Sequence, residues 1–249
     1  MPILMENRSL VTPGEIIADG TYKIGSNVYR HGPKIISQVI GLVDIHNNEI
    51  SVVPLKGNYI PTVGDLVIGI VTDVALNSWI VDIGSAYPAI MKSNSINKRF
   101  DPVRDDSRDF FDVGEVVVGK IYSFDRTRDP VLTLREDDKR NRGPYLGKLN
   151  GGRVVEITPT KIPRLIGRRG SMISMIKHYT NCRITVGQNG RIWIKGDNVD
   201  DEYLVLQAIN KIEREAHTSG LTDRVKELLE EEKAKQQAEK DSEKKTDKK

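Results

Sequence analysis

Ile166-Gly167-Arg168-Arg169-Gly170, running on through Ile173 and Ile176 to Thr180-Asn181-Cys182-Arg183-Ile184, is the stretch that decides how this chain is read. Two glycines three apart occur in many turns and say little alone. Here they join two short amphipathic segments, with Ile162, Leu165 and Ile166 at helical spacing before them and Ile173 and Ile176 after. The loop suits an anion for three reasons. Glycines let the backbone approach a phosphate with no Cβ in the way, a helix opening at Ser171 turns unpaired N–H groups toward the loop, and Arg168 and Arg169 add charge-assisted hydrogen bonds. Lys161, Arg164, Lys177 and Arg183 are further basic candidates around the same groove. The bland alternative is a plain helix-to-helix turn whose arginines face water.

Outward from this loop the pattern predicts a strand over 154–158, a short helix over 160–166, a helix over 171–180, strands over 183–186 and 191–195, and a helix over 200–215. Val205, Ile209 and Ile212 give the last helix its apolar face, and Asp197 and Asn198 offer capping chemistry ahead of it. The order β-α-α-β-β-α around Gly-x-x-Gly resembles the KH domain from Val154 to Glu215. The resemblance implies that Ile166, Gly167, Arg168, Arg169 and Gly170 clamp the backbone of about four nucleotides.

Residues 61–136 contain an internal echo, Val63-Gly64-Asp65-Leu66-Val67-Ile68-Gly69 answered by Val113-Gly114-Glu115-Val116-Val117-Val118-Gly119. Each copy reads as a Gly-acid turn, a β-branched strand, and a second Gly that permits the bend of a small barrel. Strand candidates at 79–83, 86–91 and 131–134 bring the number to five, which suits an OB barrel with 92–111 as a long polar loop. The segment resembles the OB domain of ribosomal protein S-one, from the glycine-opened strands through Ser78-Trp79-Ile80-Val81-Asp82-Ile83-Gly84 to Asp125 and Leu134-Arg135. Where that family carries stacking aromatics and a His, this chain has Ile80, Ile90 and Lys92. Stacking contributes about 1–3 kcal/mol per base, so a barrel without it is expected to bind weakly and through charge. Lys92, Lys98, Arg99, Arg126 and Arg128 are the backbone-contact candidates. Trp79 and Tyr87 are candidate replacement platforms, although a Trp opening a barrel strand more often packs inside.

Residues 11–60 read as a small β-meander: Val39, Gly41, Val43 and Ile45 alternate, Asn47-Asn48 turns, and Ile50–Val53 returns. A domain this small is marginal without a neighbour to dock on. Gly143-Pro144 and the glycines from Gly147 to Gly152 punctuate the chain after the barrel. The expected organisation is therefore a multidomain β and α+β chain: an N-terminal small β-domain (1–60), a five-stranded OB barrel (61–147), a C-terminal KH domain (148–220), and a charged tail (221–249) in which a frayed helix passes into disorder.

Of the 249 residues, 38% are hydrophobic and 29% charged, with a net charge of +3, a balance of a globular, water-soluble chain. One cysteine excludes an internal disulfide, and no stretch reaches the ~18 apolar residues of a membrane span. The start lacks the layout of a signal peptide, so a cytoplasmic location with no membrane partner is expected. Asp101, Asp105, Asp106, Asp109 and Asp112 are the only dense acidic group, and a mobile loop is a poor frame for a two-metal clamp. His31, His46, His178 and His217 are scattered, and no Cys-His spacing suggests zinc. No catalytic residue, metal or cofactor is expected.

A small β-domain, an OB barrel and a KH domain in this order is similar to the RNA-binding cap subunit of the archaeal exosome, the ribosomal-RNA-processing protein four class. Val11-Thr12-Pro13-Gly14-Glu15 and Gly20-Thr21-Tyr22-Lys23-Ile24-Gly25 resemble that family's N-terminal segment. The resemblance implies single-stranded RNA as ligand, and three copies on a ring of RNase PH-type subunits with the barrels around the pore. A ribosome- or translation-associated RNA-binding protein is the alternative.

Overall fold

In the computed structural model the described residues are 3–96, 100–101, 104–135, 145–216, 218 and 220–246, with side chains as far as 235. The chain divides into two compact units, Met1–Gly57 and Asn58–Lys249.

The first unit holds β1 (Leu10–Val11), β2 (Ile16–Asp19), β3 (Lys23–Ile24), β4 (Val28–His31), β5 (Lys34–Ser37), β6 (Gly41–His46) and β7 (Glu49–Pro54). They form two sheets, β1-β6-β7-β3 and β2-β5-β4, around Val11, Ile17, Val28, Ile35, Val43, Ile50 and Val52. The β6–β7 hairpin turns at Asn47 and Asn48, both at positive φ (46° and 65°). That is the backbone a two-residue hairpin needs to match strand twist, and asparagine tolerates it. Leu10, Leu42 and Val53 lie directly opposite one another across β1, β6 and β7 and so share a face. Leu10 and Val53 are 58% and 50% exposed.

The second unit opens with the barrel: β8 (Leu66–Val74), β9 (Ser78–Asp82), β10 (Ala89–Lys92), the short helix α1 (Ser107–Phe110), β11 (Val116–Asp125) and β12 (Arg128–Thr133). Strands β8, β9, β10, β12 and β11 close a ring, with β10 and β12 parallel and the other pairs antiparallel. The repeated sequence becomes a repeated bond. Gly64 N–H donates to Ile121 O and Gly114 N–H to Val71 O, both at 2.8 Å. Gly69 admits no side chain, because its Cβ would run into Val81. Trp79 is wholly buried; its indole N–H donates to Ser107 O (3.1 Å) and Phe111 O (3.0 Å). It is a core residue tying the long loop down and is no platform for a base.

Strand β13 (Gly147–Leu149) pairs with β11 beyond the end of β12. A boundary between residues 147 and 148 therefore cuts a strand of the barrel sheet, and the separation falls later, at Asn150–Gly152. The expected break at Gly143-Pro144 lies outside the described residues.

The KH region comprises β14 (Arg153–Glu156), α2 (Ile162–Ile166), α3 (Ser171–Thr180), β15 (Arg183–Val186), β16 (Arg191–Lys195) and α4 (Val199–Glu215). The sheet is antiparallel in the order β14-β16-β15, with Ile184, Ile192 and Ile194 facing helices that supply Leu165, Ile176, Val205, Ile209 and Ile212. Asn198 stands at the start of α4 but makes no capping bond; Glu202 instead accepts from Gly196 N–H at 3.0 Å. The tail differs from expectation. Helix α5 runs over Leu221–Thr246, and Leu221, Val225 and Leu229 join the KH core at 4%, 0% and 0% exposure. Tyr179 Oη donates to Glu230 at 2.7 Å, and Lys233 Nζ donates to Tyr179 O at 2.9 Å. Three apolar residues at four-residue spacing suffice to seat the helix, so residues 221–233 belong to the domain and are no disordered tail.

Barrel and KH domain are joined through the turn Gly187-Gln188-Asn189-Gly190, which sequence reasoning passed over. Asn189 is buried, donates through Nδ2 to Ile68 O (2.7 Å) and Ile83 O (2.8 Å), and accepts from Ile68 N–H (3.2 Å). Gln188 N–H donates to Leu66 O at 2.8 Å. Beside it Arg191, with its side chain only 7% exposed, donates to Glu156 Oε1 (2.8 Å), Asp82 O (2.6 Å) and Asp82 Oδ2 (2.6 Å). Trp193 packs on Ile68 and Val118 of the barrel.

Two outcomes are expected. Asn189→Ala leaves three barrel backbone groups buried without a partner, and should cost about 2–4 kcal/mol by urea unfolding at an average of ~1 kcal/mol or more per orphaned group. The second concerns acid. Burial pushes the Asp82 carboxyl up, but the Arg191 hydrogen bond and the Gly84 amide outweigh it and hold the group below its ordinary 3.8. A depressed carboxylate stabilises the fold above its unfolded pKa and loses that contribution as pH falls through the folded value. Asp82→Asn should therefore lower stability at neutral pH and flatten its dependence on pH below about 4, as read by thermal unfolding across a pH series.

Candidate nucleic-acid interface

The loop between α2 and α3 is fixed by its backbone. Gly167 has φ 74° and ψ 177°, a region essentially restricted to glycine, and a Cβ there would meet Met172 N and Cβ at 2.8 Å. Arg169 sits at φ 52°, and Gly170 at φ 80° opens α3 with no side chain capping it. The exposed Arg168 and Arg169 thus project from a turn that ends at a helix N-terminus, where N–H groups and the helix dipole favour negative charge. Gly167, Arg168, Arg164, Ser171 and Met172 line a groove of about 430 Å³. Ile166 ends α2, half-buried against the core, and Lys161 closes the turn Pro159–Lys161 without lining this groove. The far wall is the start of α5, Gly220 to Asp223, which brings a carboxylate to the site.

Lys177 and Arg183 are not part of this groove. Lys177 lies six residues into α3, about 9 Å along the helix from Ser171, and Arg183 opens β15 beyond the helix end. Both line a different groove, at the seam with the barrel, together with Tyr145, Lys148 and Lys195. The expectation that they surround the clamp is corrected by this geometry.

On the barrel, Lys92 and Arg128 share an open groove with Ile90, Ser123, Phe124, Val131, Asp125 and Asp129, so its charge is mixed. Ile80 and Ile90 are cross-strand neighbours, leaving an aliphatic face at the positions of interest. Tyr87 is half-buried, edge-on to Phe124 with ring centroids 5.2 Å apart. Phe124 is an aromatic of this groove that the sequence reading missed; register shifts at Ile121–Ser123 and Ser123–Asp125 break the alternation along β11, so no period-two pattern marks it. Arg126 stands in the exposed β11–β12 turn, outside the groove. Lys98 and Arg99 lie outside the described residues.

The acidic loop caps its own turns. Asp106 Oδ1 accepts from Arg108 N–H (2.9 Å), Asp112 Oδ1 from Val113 N–H (2.8 Å), and Asp105 Oδ2 from Asp101 N–H (2.8 Å). Among the described residues no three His, Cys, Asp or Glu side chains converge as metal ligands, and no helix is long and apolar enough to cross a membrane.

Family models match three stretches in the same order: the N-terminal domain of exosome RNA binding protein RRP4 at residues 8–56, the RRP4 S1 domain at 58–107, and a KH domain at 152–200. The exosome complex component Rrp4 of Pyrococcus horikoshii is 50% identical over 228 residues, covering 91% of this chain and 84% of the relative. Its counterpart in Thermofilum pendens is 43% identical over 235 residues, covering 92% and 95%. A crystal structure described as an exosome complex RNA-binding protein superposes with a TM-score of 0.63 at 38% identity, covering 72% of this chain and 99% of that one.

The two clamp glycines should respond differently to substitution. Gly167→Ala combines a forbidden backbone with a clash and should cost about 3 kcal/mol. Gly170→Ala, whose Cβ would meet nothing nearer than 3.9 Å, pays only for a left-handed backbone, about 1 kcal/mol. Chemical denaturation of the two variants checks the difference.

Proposed function

The chain belongs to the Rrp4 family of exosome complex components, and from that premise we propose that it is a non-catalytic RNA-binding subunit capping a ring of RNase PH-type nuclease subunits. In this reading three copies surround the pore and pass single-stranded RNA, 3′ end first, to the nuclease for degradation or tailing. The observation that carries it is the loop at Gly167–Gly170. Its backbone is held open by glycines, its two guanidinium groups are exposed, and it sits where amides of α3 favour a phosphate. The mixed charge of the barrel groove and its lack of a stacked aromatic pair support a division of labour, with the barrel tracking the backbone loosely and the KH loop holding it.

The N-terminal unit carries the docking role. Leu10, Ile40, Val53 and Leu55 are each at least 39% exposed, and Leu10, Leu42 and Val53 form one cross-strand row. A contiguous apolar row on so small a domain suits a protein partner.

Arg168→Ala with Arg169→Ala should weaken binding of a single-stranded oligonucleotide evenly across sequences. It should also flatten the salt dependence, by about 0.7 in log–log slope for each phosphate no longer neutralised. A weakening confined to one base identity would contradict the clamp. Leu10→Asp with Val53→Lys should abolish co-purification with the RNase PH-type ring while leaving oligonucleotide affinity unchanged. Co-purification of the unaltered chain with ribosomal subunits in place of the ring would overturn the assignment.

A further inference from the structure

The seam between barrel and KH domain holds a second groove that differs in charge from the others. Its volume is about 590 Å³, and its charged lining consists of Lys148, Lys177, Arg183 and Lys195, with no carboxylate among the lining residues. The four cations come from separate parts of the fold. Lys148 is on β13 of the barrel sheet, Lys177 on α3, and Arg183 and Lys195 on β15 and β16.

Arg183 and Lys195 are direct cross-strand partners. Like charges directly opposite one another on a sheet are destabilising, and the usual relief is an acid nearby. Here Lys148 is paired with Glu115, whereas Lys195 donates to Asn150 O at 2.9 Å, which leaves its charge uncompensated. No salt bridge engages Lys177 or Arg183 among the described residues. The carboxylates nearest the floor, Asp197, Asp201 and Glu202, reach Cys182 electrostatically from the start of α4, and Glu202 is held by Arg153 at 3.2 Å. At the rim Tyr145 is 65% exposed, and its hydroxyl donates to Lys148 O at 3.2 Å, fixing the ring's edge while leaving ring surface open to solvent. A concentrated cationic groove with an exposed aromatic at its mouth is the combination that holds single-stranded nucleic acid, charge tracking the backbone and the ring stacking a base.

We propose that this seam groove is a second track for single-stranded RNA, separate from the Gly167–Gly170 loop, in which Lys177, Arg183 and Lys195 contact phosphates and Tyr145 stacks a base. It rests on the reading of the chain as an RNA-binding subunit. Lys177, Arg183 and Lys195 share the KH domain with the clamp, and the latch at Asn189 and Arg191 holds Tyr145 and Lys148 of the barrel side beside them, so the track has a fixed place relative to the clamp. A strand long enough to occupy both gains affinity over a short one through effective concentration.

The test uses the full chain with fluorescent oligoadenylates of about 5 and about 20 nucleotides, lengths chosen so that one KH loop, which holds about four, can satisfy only the shorter. Binding is measured by anisotropy across a salt series. Lys177→Glu with Arg183→Glu, both exposed positions, should leave the short oligonucleotide within about twofold. It should weaken the long one at least tenfold and lower its salt slope by about 1.4, the value for two single-strand phosphates. Tyr145→Ala should weaken the long oligonucleotide about fivefold or more with the salt slope unchanged, since stacking carries no counterion release. If the unaltered chain binds both lengths and the charge-reversed variant binds the long one equally well with the same slope, the seam track is wrong and the RNA-binding reading stands. If the unaltered chain binds neither length at low salt, that reading falls and the track falls with it.

Discussion

One buried asparagine sets how the barrel meets the KH domain, and with it the groove along their seam. Asn189 reaches out of a KH turn and takes up backbone groups of Ile68, in β8, and Ile83, just past β9, which lie more than a hundred residues earlier in the chain. Its amide does for the barrel what another strand would do, satisfying donors and acceptors that water cannot reach. Arg191 adds a charge that is buried only because Asp82 and Glu156 meet it from opposite sides of the seam. Removing a partner would strand a buried charge, so the contact is selective for this one docking of the two domains. The glycines at 187 and 190 are part of the same device. A Cβ on Gly187 would meet Ile68 N at 3.0 Å, and one on Gly190, at φ 86°, would run into Ile157 O.

Much of the fold was written in local pattern. Helical spacing of Ile162, Leu165, Ile173 and Ile176 around a glycine pair marks two helices and a turn, because the period of 3.6 and the backbone freedom of glycine are properties of neighbouring residues. The repeat at Val63 and Val113 was legible for the same reason, and it turns out to be two paired strands, each of whose turn glycines donates to a carbonyl of the other strand. What local pattern could not carry is partnership at long range. Gly187-Gln188-Asn189-Gly190 has the composition of any solvent-exposed turn, and nothing in its neighbours indicates that its amide is inside. Helix α5 was hidden differently: its three buried residues are diluted by charge, and only the hollow between α3 and α4 makes them a face.

The candidate site divides along the same line. The clamp loop is a local object and was read correctly as a turn between helices, down to the residue at which α3 begins. Its surroundings were not, because the far wall is built by Gly220 to Asp223, far along the chain. Lys177 and Arg183 are close to the clamp in sequence, yet the length of α3 carries them to another surface. Trp79 shows the converse. Its aromatic character suggested a platform, whereas a ring that can donate to two carbonyls of the following loop is better used as a core pin.

A protein that binds a flexible strand has to control where that strand lies, and rigidity is one means available to it. Holding a chain at one point restricts it little, since a few nucleotides away the backbone is again free to turn. Two contacts on one rigid body restrict it far more, provided the span between them matches the strand and does not change. The Asn189 and Arg191 contacts remove the hinge that would otherwise lie between barrel and KH domain, so Tyr145 and Lys148 on the barrel side keep one separation from Lys177, Arg183 and the loop at Gly167 on the KH side. Affinity at each contact can then stay modest.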